Sequence, residues 1–217
     1  MVRRLGVVEY ADTWRRMRAF TDARDASTRD ELWLCEHPPV YTLGQAGRRE
    51  HLHDAGATPV IETDRGGQVT WHGPGQVVVY VLVDLRRLGI GIRTLVVALE
   101  NAVVDLLAAE GVHGAGRRDA PGVYVGGAKV AALGLRVRRG CTYHGLALNV
   151  ACELGAFDGI DPCGLRGLRV TRTADLGIEG TAAGLGDALL GHVARRLAPA
   201  PEEACADRSN RDGRHEE

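Results

Sequence analysis

Residues 77–83 constrain the fold of this chain more than any other segment. They are seven consecutive apolar residues, most of them β-branched. Such a run is typical of a β-strand that is buried on both faces. We therefore expect this segment at the centre of a β-sheet.

Hydrophobic periodicity predicts further elements around that strand. Apolar residues recur at helical spacing over residues 93–110, and Gly111 stands where a helix commonly ends. An earlier helix is expected after Asp12, whose side chain can serve as its N-cap, and a last helix over residues 182–197. Further strands are predicted over residues 5–8, 31–36, 60–63, 123–125, 128–137 and 142–150. Gly126 and Gly127 form the predicted two-residue turn of a hairpin.

Length and charge limit the architecture and the classes of partner. A chain of 217 residues favours one domain over residues 1–197, followed by a polar, flexible tail over residues 198–217. The net charge of -1 predicts binding to neither nucleic acid nor membrane. Neither a signal peptide nor an apolar run near 18 residues is found, so we expect a cytoplasmic protein. Its five cysteines, an odd number, are expected to be reduced.

Lysine occurs once in this chain. Arginine and lysine total 27 residues, and Lys129 is the single lysine among them. An ammonium group can lose its proton when buried, whereas a guanidinium group stays charged. On a strand of period two, Lys129 would share one face with Ala131 and Leu133, and His144 would share one with Leu146. The sequence thus predicts an amine that projects from an apolar surface and carries out proton chemistry.

Cys163 lies in a loop, Gly159-Ile-Asp-Pro-Cys-Gly-Leu165, between a proline and a glycine. Such surroundings favour a fixed and accessible thiol, although a buried cysteine is the commoner case. If Lys129 were adjacent, it would favour the thiolate form of this cysteine, or, as a neutral amine, act as its general base. The residues alone leave both alternatives open.

A glycine-rich segment, residues 64–76, precedes the buried strand. Its glycines can bring bare backbone N–H groups close to a ligand, but it lacks the Gly-Lys-Ser/Thr ending of a phosphate loop. The alternative is a sharp turn that leads into the strand. We predict no metal site, because Cys141 and His144 would point to opposite faces of one strand. His37, His51 and His53 are interpreted as solvated or structural.

Several motifs together resemble the lipoate-protein octanoyltransferase family. They are Arg65-Gly-Gly-Gln-Val-Thr-Trp-His-Gly-Pro-Gly-Gln76, Gly126-Gly-Ala-Lys129, Ala132-Leu-Gly134, His144-Gly-Leu-Ala-Leu-Asn149 and Pro162-Cys-Gly164, with Val170-Thr171 downstream. Their order and spacing agree with the family over about residues 37–173. Trp71 stands where another aromatic residue, often tyrosine, is expected. The tail lies outside the family core.

This resemblance implies an α/β (α+β) fold like the catalytic domain of biotin and lipoate ligases, with helices packed against a mixed sheet. The implied reaction moves an octanoyl group from octanoyl-acyl carrier protein to the acceptor lysine of lipoyl domains, without a cofactor. The implied acceptors are lipoyl domains of 2-oxoacid dehydrogenase acyltransferase subunits and the glycine cleavage carrier protein. Because transfer from thioester to amide is downhill, no ATP is expected.

The same resemblance implies roles for individual residues. Cys163 corresponds to the nucleophile that forms the acyl thioester, and Lys129 to the group that tunes it. The implied substrate-binding residues are Arg65, Gly66, Gly67, Gln68, Val69, Thr70, Trp71, His72, Ala132, Leu133, Gly134, Gly145, Leu146 and Ala147. Neither His72 nor His144 is assigned a catalytic step, and the acyl chain is expected in a groove lined by strand residues such as Leu133 or Leu146.

The sequence leaves two alternative functions and a candidate docking surface to be tested. A lipoate or biotin ligase would share the fold but require ATP and no cysteine, and an inert acyl-carrier-binding protein would never acquire the acyl group. The acidic carrier would need a local basic surface. The candidates are Arg136, Arg138, Arg139, Arg166, Arg169 and Arg172, which can equally form solvated faces.

Overall fold

A computed structural model describes residues 1–198. The strands are β1 (Val2–Val7), β2 (Glu31–Glu36), β3 (Val40–Leu43), β4 (Val60–Glu62), β5 (Val69–His72), β6 (Gln76–Leu82), β7 (Ala115–Gly116), β8 (Gly122–Val125), β9 (Ala128–Arg138) and β10 (Cys141–Asn149). The helices are α1 (Tyr10–Asp22), α2 (Ile92–Ala109) and α3 (Ala182–Leu197), with short 3-10 turns at Arg49–His51, Gly155–Phe157, Pro162–Gly164 and Thr173–Leu176. The predicted tail, apart from Ala198, lies outside the described residues.

The larger sheet contains seven strands in the order β1-β2-β6-β10-β9-β8-β7. The β1–β2 pair is parallel and the other pairs are antiparallel, which confirms the predicted mixed sheet. Strand β6 is buried along its whole length, as predicted. It is not the central strand, however, because β10 occupies that position and is also buried throughout. Glycine and polar residues in β10 interrupt its apolar run and conceal this from the sequence.

Apolar side chains form a core on each face of the larger sheet. On one face, α2 and α3 pack over Val79, Val81 and Leu148. On the other face, Met17 of α1 packs with Trp33, among others. A smaller sheet, ordered β4-β3-β5, has its own apolar cluster. Within residues 1–198, none of the helices has the length and apolar character needed to cross a membrane.

Helix α1 begins two residues before the predicted N-cap. Its N-cap is Glu9, whose carbonyl accepts a hydrogen bond from Thr13 Oγ1 at 2.9 Å, and Asp12 lies in the first turn. Tyr10 is 2% exposed, so its burial favours the earlier start. A carboxylate in the first turn still interacts favourably with the helix dipole. The expectation that Asp12 caps this helix is therefore wrong.

Candidate active site

Cys163 and Lys129 are in direct contact. Lys129 Nζ lies 2.8 Å from Cys163 Sγ, although the two residues are 34 positions apart in sequence. The amine also donates a hydrogen bond to the Pro121 carbonyl at 3.0 Å and lies 5.6 Å from the centroid of the Tyr124 ring. Lys129 is 4% exposed, whereas Cys163 is half-buried. The contact brings together a thiol and a desolvated amine.

Period-two alternation predicted that Lys129 and Ala131 share one face of the strand. In the structure they lie on opposite faces. Ala131 pairs with Val123, whereas Lys129 pairs with the next residue of β8, Tyr124, so that Val130 forms a bulge. Val123 and Tyr124 are consecutive on β8 and point to opposite faces of the sheet, so their partners on β9 also point to opposite faces. Ala131 therefore packs in the core under α2, and Lys129 faces the pocket that contains Cys163.

His144 also departs from the predicted face. Its φ is +60°, a conformation that residues other than glycine seldom adopt. Leu146 packs in the core under α2 and α3, while the His144 ring stacks on Tyr143 with centroids 5.0 Å apart. The positive φ thus turns the imidazole toward the pocket, where its buried Nδ1 has no hydrogen-bond partner among the described residues.

Asp64 holds this part of the pocket together. Its carboxylate accepts hydrogen bonds from Trp14 Nε1 at 2.7 Å and from Tyr143 Oη at 2.5 Å, and lies 2.9 Å from His144 Nε2. Burial alone would raise the pKa of Asp64, but hydrogen bonds from His144, Tyr143 and Trp14 outweigh it and hold that pKa well below its usual range. Burial lowers the pKa of His144, so its imidazole is neutral near pH 7.

The backbone of the loop that contains Cys163 is strained and firmly anchored. Cys163 has φ 60° and ψ 14°. The Asp161 N–H donates to the His51 carbonyl at 2.9 Å, and the Asp161 carboxylate lies 3.2 Å from His51 Nδ1 and 3.0 Å from His53 Nε2. These contacts fit the predicted structural reading of the two histidines. No group of three His, Cys, Asp or Glu side chains in the described chain is arranged to hold a metal ion.

His37 is not solvated, which corrects one of its two predicted readings. It is 0% exposed, and its ring nitrogens lie 2.6 Å from the Val8 carbonyl and 2.6 Å from Tyr80 Oη. Burial lowers the pKa of His37. The residue is a buried structural histidine beneath the pocket wall, a position that its polar sequence surroundings did not indicate.

Both sheets contribute residues to the pocket around Cys163. Twelve of the fourteen predicted substrate-binding residues line it: Arg65, Gly67, Gln68, Val69, Thr70, His72, Ala132, Leu133, Gly134, Gly145, Leu146 and Ala147. The two others do not. Trp71 points away and packs against Phe157, and the Gly66 N–H is already bonded to the Leu135 carbonyl at 2.9 Å.

Other pocket residues were not among the predicted site residues. These include Tyr10, Gln76, Val78, Tyr80, Asn149, Phe157 and Val170. Alternation along β6 could have placed Val78 and Tyr80 on one face. No local signal indicated Tyr10, because it reaches the pocket from the first helix of the chain.

A chain of amides defines the tautomer of His72. Asn149 Nδ2 donates to the Thr171 carbonyl at 3.0 Å, so Asn149 Oδ1 accepts from Gln76 Nε2 at 2.9 Å. Gln76 Oε1 must then accept from His72 Nδ1, 2.7 Å away. Burial lowers the pKa of His72 to about 3. This histidine is therefore neutral, and its Nε2 is a hydrogen-bond acceptor in the pocket wall.

The other thiols of the described chain are poorly placed for nucleophilic chemistry. Cys35, Cys141 and Cys152 are buried. Burial raises the pKa of Cys152 to about 12 and also raises that of Cys35. Cys163 is the half-buried thiol of the set, and it contacts the single lysine of the chain.

The arginines near the loop divide into two groups. Arg138 pairs with Asp22 at 2.8 Å and Arg172 with Asp175 at 3.0 Å. Arg166 and Arg169 are exposed, and neither pairs with a carboxylate among residues 1–198; Arg169 donates to the Gly126 carbonyl at 2.8 Å. Part of the predicted basic surface is thus neutralised locally, and part is available to a partner.

Sequence comparisons relate this chain to enzymes of lipoylation. The model of the lipoyl protein ligase A/B catalytic domain matches residues 9–192. An octanoyltransferase of Halorhodospira halophila is 66% identical over 176 residues, which cover 81% of this chain and 81% of the relative. An octanoyltransferase of Thiobacillus denitrificans is 63% identical over 193 residues, which cover 87% and 88% of the two chains.

Solved structures with the same fold include ligases. A lipoate-protein ligase A bound with ATP has a TM-score of 0.75 and 16% identity, with 90% of this chain and 84% of that chain covered. The biotin protein ligase of Aquifex aeolicus in complex with biotin and ATP has a TM-score of 0.55 and 14% identity, with 90% and 69% covered. At these identities the likeness concerns the fold, and it confirms the predicted resemblance to ligase catalytic domains.

Proposed function

The chain belongs to the family of lipoyl protein ligase A/B catalytic domains, and from this membership we propose that it is an octanoyltransferase that carries the acyl group on Cys163. One observation carries the proposal: the contact of 2.8 Å between Cys163 Sγ and Lys129 Nζ. It occurs in a chain 66% identical to an octanoyltransferase. The pairing supplies the nucleophile and the amine that such a covalent transfer requires.

The reaction has two balanced steps. Cys163 Sγ attacks the thioester carbonyl of octanoyl-acyl carrier protein, a new carbon–sulfur bond forms, and the carrier thiol leaves with a proton. The acceptor lysine of a lipoyl domain then attacks the acyl-enzyme, an amide forms, and the amine proton returns to the cysteine. The acceptors are lipoyl domains of 2-oxoacid dehydrogenase acyltransferase subunits and the glycine cleavage carrier protein. Because each acyl donor is already a thioester, no nucleoside triphosphate is consumed.

The pocket fits an acyl chain attached to that sulfur. Its wall combines apolar side chains, such as Val78, Leu133 and Ala147, with the neutral His72. A neutral imidazole costs less to desolvate against a hydrocarbon chain than a charged one would. The exposed Arg166 and Arg169, which lie on the loop after Cys163, support docking of an acidic carrier.

A larger side chain at Ala132 should shorten the acyl chain that the enzyme accepts. Ala132 lies on β9 three residues from Lys129 and lines the pocket, where a leucine would occupy space next to the acyl chain. We expect Ala132→Leu to reduce the rate with octanoyl donor more than tenfold relative to butanoyl donor, about the effect of one or two methylenes in a hydrophobic site. Competition between the two donors, read by mass spectrometry, measures this ratio.

The matched control is Ala194→Leu, the same change at an exposed position of α3. It should leave the ratio between the two donors unaltered. An unaltered ratio in Ala132→Leu itself would show that the acyl chain lies elsewhere.

Intact-protein mass spectrometry tests the proposed function. Wild type mixed with octanoyl-acyl carrier protein, without ATP, should gain one octanoyl group that hydroxylamine removes. Cys163→Ser should gain no hydroxylamine-sensitive group. If wild type stays unmodified, and lipoyl domains are acylated only when ATP and free octanoate are supplied, the ATP-dependent ligase is the correct reading. If wild type binds the carrier but transfers under neither condition, it is an inert carrier-binding protein.

A further inference from the structure

Helix α2 buries a carboxylate in an otherwise apolar face. Glu100 is 8% exposed and lies among Leu95, Leu99, Ala102 and Val103, which face the core. No cationic side chain of residues 1–198 forms an ion pair with it within 4.0 Å. Burying an unpaired carboxylate is costly, so a carboxylate in this position needs a specific hydrogen-bond partner.

One peptide unit connects this carboxylate to Lys129. Glu100 Oε1 accepts a hydrogen bond from the Gly122 N–H at 2.9 Å. The carbonyl at the other end of the same peptide, that of Pro121, accepts a hydrogen bond from Lys129 Nζ at 3.0 Å. In a trans peptide the N–H and C=O point in opposite directions, so the dipole has a carboxylate at its positive end and an amine at its negative end. Each hydrogen bond polarises the peptide in the sense that strengthens the other.

Two glycines allow this arrangement. Gly122 has φ +148°, and a Cβ there would lie 2.4 Å from Lys129 Cε and 2.5 Å from the Ala131 carbonyl oxygen. A Cβ on Gly116 would lie 2.7 Å from Glu100 Oε2. Neither position has room for a side chain, so the backbone approaches the lysine and the carboxylate closely at both ends.

We propose that Glu100 is a positioning residue that acts through the Pro121–Gly122 peptide to keep Lys129 in its ammonium form beside Cys163. This inference rests on the proposed function, in which Lys129 serves Cys163. The neighbours of Nζ act in the same direction, because the Pro121 carbonyl accepts its hydrogen bond and the Tyr124 ring presents its π-system. Of the two alternatives for the lysine, the inference selects the ammonium that stabilises a thiolate over the neutral general base.

The other titratable groups near Glu100 in the described chain lie on α2 itself, on β8, on the loop before it and on α3. Burial raises the pKa of Glu100, while the Gly122 N–H and the charge of Lys129 oppose that rise. Tyr124 of β8 faces the same region, with Arg117 and Asp119 beyond it. On the side of α3, Arg196 and His192 face Asp105 of the same helix.

The test is the pH dependence of acylation in Glu100→Gln. Glutamine keeps an oxygen for the Gly122 N–H and removes the negative charge. The rate of Cys163 octanoylation is measured in single turnovers from about pH 6 to pH 10. We expect the alkaline limb of this pH–rate profile to move to lower pH by about one unit, because Lys129 loses the stabilising negative charge. This is the order of magnitude for opposite charges separated by one peptide. The matched control is Asp105→Asn, which removes another carboxylate of α2, one that is paired with Arg196 at 2.6 Å and does not line the pocket that contains Lys129 and Cys163. Its profile should coincide with that of wild type.

The outcomes separate this inference from the proposed function. If wild type forms no acyl-enzyme, the proposed function fails. If wild type is acylated but the limb of folded Glu100→Gln does not move, the inference is overturned, and a uniform loss of rate at every pH also overturns it. Should Glu100→Gln not fold, Glu100→Asp is measured instead. Its side chain is shorter by one methylene, so the charge lies farther from the peptide, and the alkaline limb must move to lower pH by a smaller amount. An unmoved limb in that variant overturns the inference too.

Discussion

Replacing Lys129 with methionine is expected to slow octanoylation of Cys163 by about 10²- to 10⁴-fold, the usual effect of removing a positioned proton-transfer group. Methionine fills the same narrow space, where the lysine is 4% exposed, but provides neither charge nor hydrogen bond. Stability should change little, because the cost of leaving the Pro121 carbonyl without its hydrogen bond offsets the gain from removing a buried charge. Single-turnover acylation and thermal unfolding of the same preparation measure both effects.

Arg118→Met is the matched control for this prediction. Arg118 is an exposed cation in the segment before β8. Its replacement should alter neither the acylation rate nor the melting temperature appreciably, because exposed charges contribute little. A Lys129→Met protein that is acylated at nearly the wild-type rate would remove the lysine from the proposed mechanism.

Replacing Asp64 with asparagine should lower the free energy of unfolding by about 3 kcal/mol, the scale for breaking a partly buried, charge-assisted network. Trp14, Tyr143 and His144 all converge on this carboxylate. An amide offers one acceptor oxygen in place of two, so at least one donor loses its partner. The melting temperature should fall by about 6–12 °C for a chain of this length. The control, Asp12→Asn on the exposed face of α1, should cost less than about 0.5 kcal/mol.

The contribution of Asp64 to the free energy of unfolding should also depend on pH. Its pKa in the folded protein lies below the ordinary value of 3.8. A carboxylate of this kind stabilises the folded state above its unfolded pKa, and that contribution is lost as pH falls toward the folded pKa. The difference in stability between wild type and Asp64→Asn should therefore be constant near neutral pH and narrow below about pH 4. A difference that stays constant in acid would contradict the assignment of the charge to this network.

Local patterns were sufficient for much of the fold. The bounds of β2 and α3 agree with those expected from alternation and helical spacing. The hairpin at Gly126–Gly127 follows from two residues that tolerate positive φ, and both have it. These elements depend on interactions between residues close in sequence, which is why periodicity and turn chemistry reveal them. The motifs quoted above were also sufficient to identify the family.

The orientation of the chemical groups was not predictable in the same way. One extra residue at Val130 turns Lys129 to the pocket face, and one positive φ does the same for His144. The identity of these residues does not predict such irregularities, since valine is an ordinary strand residue and positive φ is uncommon for every residue type other than glycine. Alternation therefore predicted the wrong face at the two positions where strand regularity is interrupted.

Residue patterns thus predicted seven of the ten described strands, the three helices and the family, and they singled out an isolated lysine and a loop cysteine. Strands β3, β5 and β7 were not predicted. The contact between these two, the tautomer of His72 and the link from Glu100 to Lys129 depended on the packing of segments distant in sequence. Glu100 lies on a helix and reaches Lys129 through a peptide of the β7–β8 loop and the start of β8. Such contacts are determined by the register of β8 against β9 and by the position of α2, which no single segment encodes.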